Sequence, residues 1–235
     1  MRPVRSVSRS AASAVAAEGT APRSRKGAET RARLLEAAKR VFEEDGFLDA
    51  RISDISKRAK LSHGSFYHYF DSKEQIFREV AEAQERMLTA PPAAGSSESS
   101  RLDSERERIR RANRRYLERY RDEAKIMGVI EQASRYDEHV NAARAATQKH
   151  FAERAEGSIR RLQKEGVADR SIDPAIAATA LGAMVARFAE LWLVQGYADY
   201  DFEEAVEQLT TLWCNALRLE PEPHRERSKR RTAGS

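Results

Sequence analysis

Residues 62–74 read Ser62-His63-Gly64-Ser65-Phe66-Tyr67-His68-Tyr69-Phe70-Asp71-Ser72-Lys73-Glu74. Two serines punctuate this run. Ser62 precedes a short helical segment, 63–69, and its hydroxyl is placed to cap the first turn. Ser72 and Gln75 form a capping box that starts the next helix at Lys73. Just upstream, the segment 52–59 puts Ile52, Ile55 and Ala59 on one helical face, and Lys60-Leu61 turns tightly into Ser62. Before that, Leu34, Leu35, Ala38, Val41 and Phe42 recur at helical spacing until Gly46 stops the pattern. Two short helices joined by a tight turn and backed by a longer one make a helix-turn-helix. Spacing alone leaves an ordinary helical hairpin equally open.

A helix that enters a major groove must be braced from behind by its neighbour. Ile52, Ile55, Leu61 and Phe66 supply the inner face, which leaves His63, Gly64, Ser65, Tyr67 and His68 pointing outward. Gly64 permits close backbone approach, and Ser65, Tyr67 and His68 carry hydrogen-bonding tips for phosphates and base edges. Ser62 aims the N–H groups of the first turn toward phosphate, and Lys73 is expected to clamp the DNA backbone. The plainer alternatives stand beside this reading. Tyr67, Tyr69 and Phe70 also suit a core, with Phe70 expected there, and His63 and His68 also suit an ordinary surface.

Outward toward the C-terminus, residues 89–100 (TAPPAAGSSESS) end the fourth helix with two prolines, a glycine and four serines. Beyond this linker, helical patterns follow one another over 102–121, 123–135, 137–165, 174–196 and 202–219, with no strand signal. Asp173 is read as the cap of a strongly apolar helix with Pro174 at its first position. The expected architecture is all-α. It comprises a basic arm (1–26, disordered), a helix-turn-helix domain (27–88), a linker (89–101), a helical ligand-binding and dimerisation domain (102–219) and a disordered basic tail (220–235).

Charge placement points to a polyanion. Residues 1–26 hold six basic groups against one acid, Glu18, and positive charge gathered at one end favours nucleic acid. The apolar run 11–17 is too short for a secretory core. The region 175–194 is interrupted by Thr179, Arg187 and Glu190, so no membrane partner is expected. The single cysteine, Cys214, excludes an internal disulfide and a cysteine-based zinc site, and it reads as a small buried side chain. No phosphate-binding loop, dinucleotide fingerprint, zinc-protease motif or nucleophile elbow is present, and the five histidines show no metal-ligand spacing. Neither enzyme nor cofactor is expected.

Taken together, Gly46-Phe47, then Ile52-Ser53-Asp54-Ile55, then Ala59-Lys60 leading into the 62–74 run resemble the signature of the TetR family. The resemblance covers about 27–85. It implies a three-helix DNA-binding domain, a variable ligand-binding domain, a homodimer formed by the last two helices, and repression relieved by a small effector. It also implies a palindromic operator on double-stranded DNA and a cytoplasmic, nucleoid-associated protein. Two positions depart from the family pattern. Arg51 stands where a Thr or Ser usually caps the second helix, and is read as a charged phosphate contact instead. Lys60 stands where the turn usually has glycine, which predicts a left-handed lysine or an altered turn. The Pro/Gly/Ser linker is also longer than the family's usual passage between its fourth and fifth helices.

In the C-terminal half, Phe202, Val206, Leu209, Trp213 and Leu217 form one stripe, read as the dimer interface together with small residues of the preceding helix. The same stripe suits a monomer core. For the effector pocket the expectation is Tyr116, Tyr120, Met127, Ile130, Glu131, Ser134, Phe151, Met184, Phe188 and Trp192, apolar walls with sparse polar groups that suit a lipophilic molecule. The alternatives are a non-specific architectural DNA-binding protein, and an activator or ligand-independent regulator of the same family.

Overall fold

The computed structural model describes residues 25–91 and 104–219. The arm before residue 25, most of the linker and the tail beyond 219 lie outside the described residues. Helices are α1 (Arg25–Asp49), α2 (Ile52–Arg58), α3 (His63–Phe66), α4 (Lys73–Thr89), α5 (Glu105–Asp122), α6 (Ala124–Ala133), α7 (Glu138–Lys164), α8 (Pro174–Ala189) and α9 (Phe202–Leu217). Among the described residues there is no strand.

Helix starts follow the capping residues. Ser62 accepts from Ser65 N, Ser72 from Gln75 N, Asp173 from Ile176 N and Asp201 from Glu204 N. Each side-chain oxygen accepts from a first-turn N–H, a group with no partner in the preceding turn of its own helix. Gln75 returns its side chain to Asp71 N, one residue before the usual capping-box partner. The regular helix α3 ends at Phe66, three residues short of the expected 63–69. Hydrogen-bonded turns carry the chain on, with Tyr69 N and Phe70 N both donating to Phe66 O. Gly46 breaks the regularity of α1 with φ 72°, ψ 178°, and one further turn follows it.

The N-terminal core is aromatic. Phe42 and Phe77 meet edge to face at 4.9 Å, with Phe47 stacked obliquely on Phe77 at 4.7 Å. Leu34, Ala38, Ile55, Phe66, Phe70 and Ile76 close around them, all buried. Residues 50–70 are too few to bury a core of their own, so α2 and α3 take their orientation from α1 and α4.

Of the two alternatives at Lys60 the chain takes the left-handed backbone, with φ 56°. A Cβ-bearing residue there costs roughly 1–2 kcal/mol, partly offset in any glycine variant by the 0.4–1 kcal/mol of extra chain entropy. Lys60→Gly is therefore expected to raise stability by about 0.5–1 kcal/mol. A urea titration of both proteins checks this, and a loss of stability would count against the strain.

In the C-terminal half α7 packs along α8, α5 packs along α9, and α4 crosses to α7. After Ala189 the helix widens into a π-helical turn, Glu190–Val194. The Val194 side chain lies 2.8 Å from where a Cβ on Gly128 would sit, so α6 approaches this turn at glycine distance. By length and composition 174–194 is apolar enough to cross a bilayer. Here its inner face, Ala178, Val185 and Ala189, is buried in the domain, and Ile176, Thr179, Ala180 and Ala183 are exposed together on the other.

Candidate nucleic-acid interface and ligand cavity

On the outer face of α3, His63, Gly64, Tyr67 and His68 are exposed, and Ser65 is half-buried. The His63 and Tyr67 rings meet edge to face at 5.5 Å, so the two protrude as one aromatic ridge. Phe66 and Phe70, on the inner side, are fully buried, as expected for Phe70. Ser62 and Ser65 share a hydroxyl hydrogen bond of 2.7 Å at the start of the helix. The α2 N-terminus is built differently: Arg51 is extended (φ −119°), exposed, and gives no side-chain cap. The first turn of α2 therefore starts without a side-chain cap.

Lys73 does not sit as expected. Its ammonium donates to the carbonyls of Phe47 (2.8 Å), Leu48 (3.0 Å) and Ala50 (3.0 Å), and lies 4.8 Å from the Phe47 ring centroid. An ammonium has three hydrogens, and all three are engaged within the protein. Lys73 thus ties the end of α1 to the start of α4 instead of reaching outward. The sequence places a lysine at a helix start but cannot show that three carbonyls converge there from 23 to 26 residues upstream.

The dimer stripe is also corrected. Val206, Leu209 and Leu217 are buried within the chain, while Phe202 and Trp213 pack against its core clusters. The stripe packs within the same chain, along α5 and, at Trp213 and Leu217, against Ile159 of α7 and Ala177 and Ala178 of α8, because amphipathic spacing shows which residues seek burial but not what buries them. What α8 and α9 leave open is Ile176 (72% exposed), Ala180, Ala183, Leu212 (49%) and Ala216.

A cavity of about 470 Å³ lies between the end of α4 and helices α5, α7, α8 and α9, within the size range of small-molecule sites. Of the ten residues expected to line a pocket, Tyr116 and Phe151 do so. Tyr120, Met127 and Ile130 are buried in the common core, with Met184, Phe188 and Trp192 packed against it. Glu131 pairs with Arg135, and the Ser134 hydroxyl donates to Glu131 O and accepts from Arg144. Trp213 and Leu217, assigned to the dimer, line the cavity instead. Sequence reasoning missed its arginines altogether: Arg108, Arg111, Arg115 and Arg119 from α5, Arg154 and Arg161 from α7. Their signal was present as steps of three, four and four along α5, which reads by itself as a solvated face.

Next to the cavity lies a buried polar set. Burial holds the Glu85 carboxyl above its ordinary pKa, opposed by a hydrogen bond from Thr147 and the charge of Arg144. Burial likewise raises the phenols of Tyr116 and Tyr120.

The described fold and its outward α3 define a helix-turn-helix protein with a helical companion domain. Residues 34–80 match the model for bacterial regulatory proteins of the tetR family. An uncharacterized HTH-type transcriptional regulator of Bacillus subtilis, YdgC, is 53% identical over 55 residues, which are 23% of this chain and 28% of that one. The HTH-type transcriptional repressor NicS of Pseudomonas putida is 41% identical over 63 residues, 27% of this chain and 30% of its own. These alignments span less than a third of the relatives' lengths. The solved fatty acid degradation regulator FadR of Bacillus halodurans shares the fold, with a TM-score of 0.65 at 16% identity over 81% of this chain and 97% of its own. Residues 34–80 are thus similar to the corresponding segment of tetR-family regulators. Both relatives are named as HTH-type transcriptional regulators.

Proposed function

We propose that the protein is a dimeric, sequence-specific DNA-binding transcriptional regulator, a repressor released from a palindromic operator by a small lipophilic effector. The observation that carries the reading is the outer face of α3. His63, Gly64 and Ser65 stand on a serine-capped helix, and Tyr67 and His68 in the turn that follows it, inside the matched family segment. Two such helices related by a twofold axis would enter successive major grooves on one side of a duplex. The exposed face of Ile176, Ala180, Ala183, Leu212 and Ala216 supports the dimer, being apolar and small enough for close helix approach. Such a regulator works in the cytoplasm, on the nucleoid.

Helix α4 is the lever between the two functions. It starts beside α3, and its far end at Leu88 and Thr89 lines the cavity. Arg78 of α4 holds Asp137, the cap of α7, at 2.9 Å, and Lys39 of α1 pairs with Glu123 at the start of α6. An occupant that shifts α4 would change the spacing of the two recognition helices, and DNA would disfavour that occupant by the same factor.

Selection from a random duplex pool with the purified protein at two salt concentrations tests the reading. A palindromic motif that survives the higher salt is expected. Binding without any motif that vanishes as salt rises would replace it with a non-specific, architectural role. On the selected operator, Arg51→Thr is expected to reduce the slope of log affinity against log salt by about 0.9, the loss of one phosphate contact. The same change restores a cap worth about 1 kcal/mol, so stability rises while affinity falls. An unchanged slope would remove Arg51 from the interface.

A further inference from the structure

The turn between α2 and α3 closes α2 with a hydrogen-bonded cap. Leu61 N donates to Ser56 O at 2.9 Å and Lys60 N to Lys57 O at 3.0 Å, the paired bonds of a Schellman motif. Such a cap needs a left-handed residue just before Leu61, and Lys60 fills that place at φ 56°. Glycine takes this backbone without the cost of a Cβ. The Lys60 side chain gives nothing back to the fold: it is exposed, and its ammonium has no acceptor among the described residues. The negative end of α2 does not require it either. Lys57 and Arg58 lie in the last turn, and Arg33 of α1 donates to the Ala59 carbonyl. Lys60 also lines a groove of about 540 Å³ together with Arg33, Arg40 and Arg58. Arg40 is answered by Glu36 and Glu43, and Arg58 by Glu44. Arg33 and Lys60 meet no carboxylate among the described residues. The 24 residues before Arg25 bring four basic groups and one acid, so their excess charge has the same sign. In the free protein Lys60 thus bears a left-handed backbone and a like-charged neighbour, and no described contact offsets either. Strain held at an exposed, unpartnered side chain points to function outside the fold.

We propose that Lys60 is a DNA-backbone contact, its ammonium taking a phosphate of the duplex that α3 enters. This rests on reading α3 as the recognition helix. In a helix-turn-helix the N-terminal residues of the second helix reach base edges, while the first helix crosses the sugar-phosphate backbone. Lys60 lies between the two, just past the end of α2 and in the turn that leads into His63, where α3 begins. Its flexible four-carbon stem lets the charge follow a phosphate without moving the turn. A phosphate at the mouth of the groove would answer the Lys60 charge and its repulsion from Arg33 together. Glycine would suit the backbone better and could not make this contact. Because phosphates carry no sequence information, the contact sets affinity and orientation and leaves the choice of bases to α3.

Fluorescence anisotropy of the full chain on a labelled random-sequence duplex, across about 50–200 mM salt, tests the proposal. A phosphate contact does not depend on sequence, so no operator has to be selected first. Three variants separate charge from backbone, each measured alongside urea unfolding. Lys60→Gln and Lys60→Gly should both flatten the slope of log affinity against log salt by about 0.9 for each protomer bound. Lys60→Arg, which keeps the charge, should keep the parent slope. Stability should follow the backbone instead, rising in Lys60→Gly and staying near the parent in Lys60→Gln and Lys60→Arg. A purely structural lysine would leave the slope alike in all four proteins. An unchanged slope in the two neutral variants, or one flattened as much by Lys60→Arg as by Lys60→Gln, would overturn the proposal. If the parent binds the duplex and its slope ignores the charge at position 60, this inference falls alone. If the parent binds neither this duplex nor any from the random pool, it falls together with the reading of α3.

Discussion

Phe42→Ala is expected to cost about 3–5 kcal/mol of folding stability, the usual range for deleting a fully buried phenyl ring. The position earns the upper part of that range for two reasons. Phe42 has no exposed surface and lies edge to face against Phe77, a contact worth about 0.5–1.5 kcal/mol beyond area alone. Its neighbours are also poorly able to collapse into the space. Phe47 and Phe77 are already held against each other, and Phe47 is anchored from outside by the Lys73 ammonium. Since a folded domain has only about 5–15 kcal/mol in hand, a large share of the margin disappears. The loss falls on function as well as on stability, because α2 and α3 have no independent core and α1 and α4 orient them. Urea unfolding monitored by circular dichroism gives the number. A cost under 1 kcal/mol would mean that the aromatic cluster rearranges and is not what holds the recognition helix.

The parts of this molecule that the sequence made legible are those fixed within a few residues. Ser62, Ser72 and Asp173 cap the helices they were expected to cap, because a side-chain oxygen reaching an N–H two or three positions on is local chemistry. At Lys60 the resemblance, whose turn usually has glycine there, offered a left-handed lysine or an altered turn, and the left-handed lysine is what is found. What failed was anything that depends on a distant partner. The stripe from Phe202 to Leu217 announced burial correctly and its partner wrongly, α5 of the same chain having the first claim on it. The cavity arginines look like surface charge until α7 is seen to bring Arg154 and Arg161 opposite those of α5. Aromatic side chains such as Phe188 and Trp192 were expected in a pocket, yet they pack against each other, at 5.6 Å, and against the core. Apolar chemistry does not distinguish a wall facing space from a wall facing another wall.

Lys73→Met separates a positioning role from a DNA contact at a residue where the two readings conflict. Methionine keeps most of the apolar stem and removes the ammonium. The carbonyls of Phe47, Leu48 and Ala50 then lose their shared donor, and the Phe47 ring loses its cation. Hydrogen bonds to a charged group contribute about 1.5–3 kcal/mol, and bonds converging on one donor do not add fully, so a loss of about 2–4 kcal/mol is expected. If Lys73 clamped a phosphate, its removal would also flatten the salt dependence of operator binding by about 0.9. The geometry predicts otherwise: with all three hydrogens engaged internally, the slope should stay as in the parent protein while the unfolding midpoint falls. Arg51→Thr should show the reverse pattern, a flatter slope with a higher midpoint. Measuring both variants in the same buffers therefore gives two observables with opposite expected signs. A flattened slope at position 73, with stability intact, would mean that the ammonium leaves its three carbonyls for the duplex.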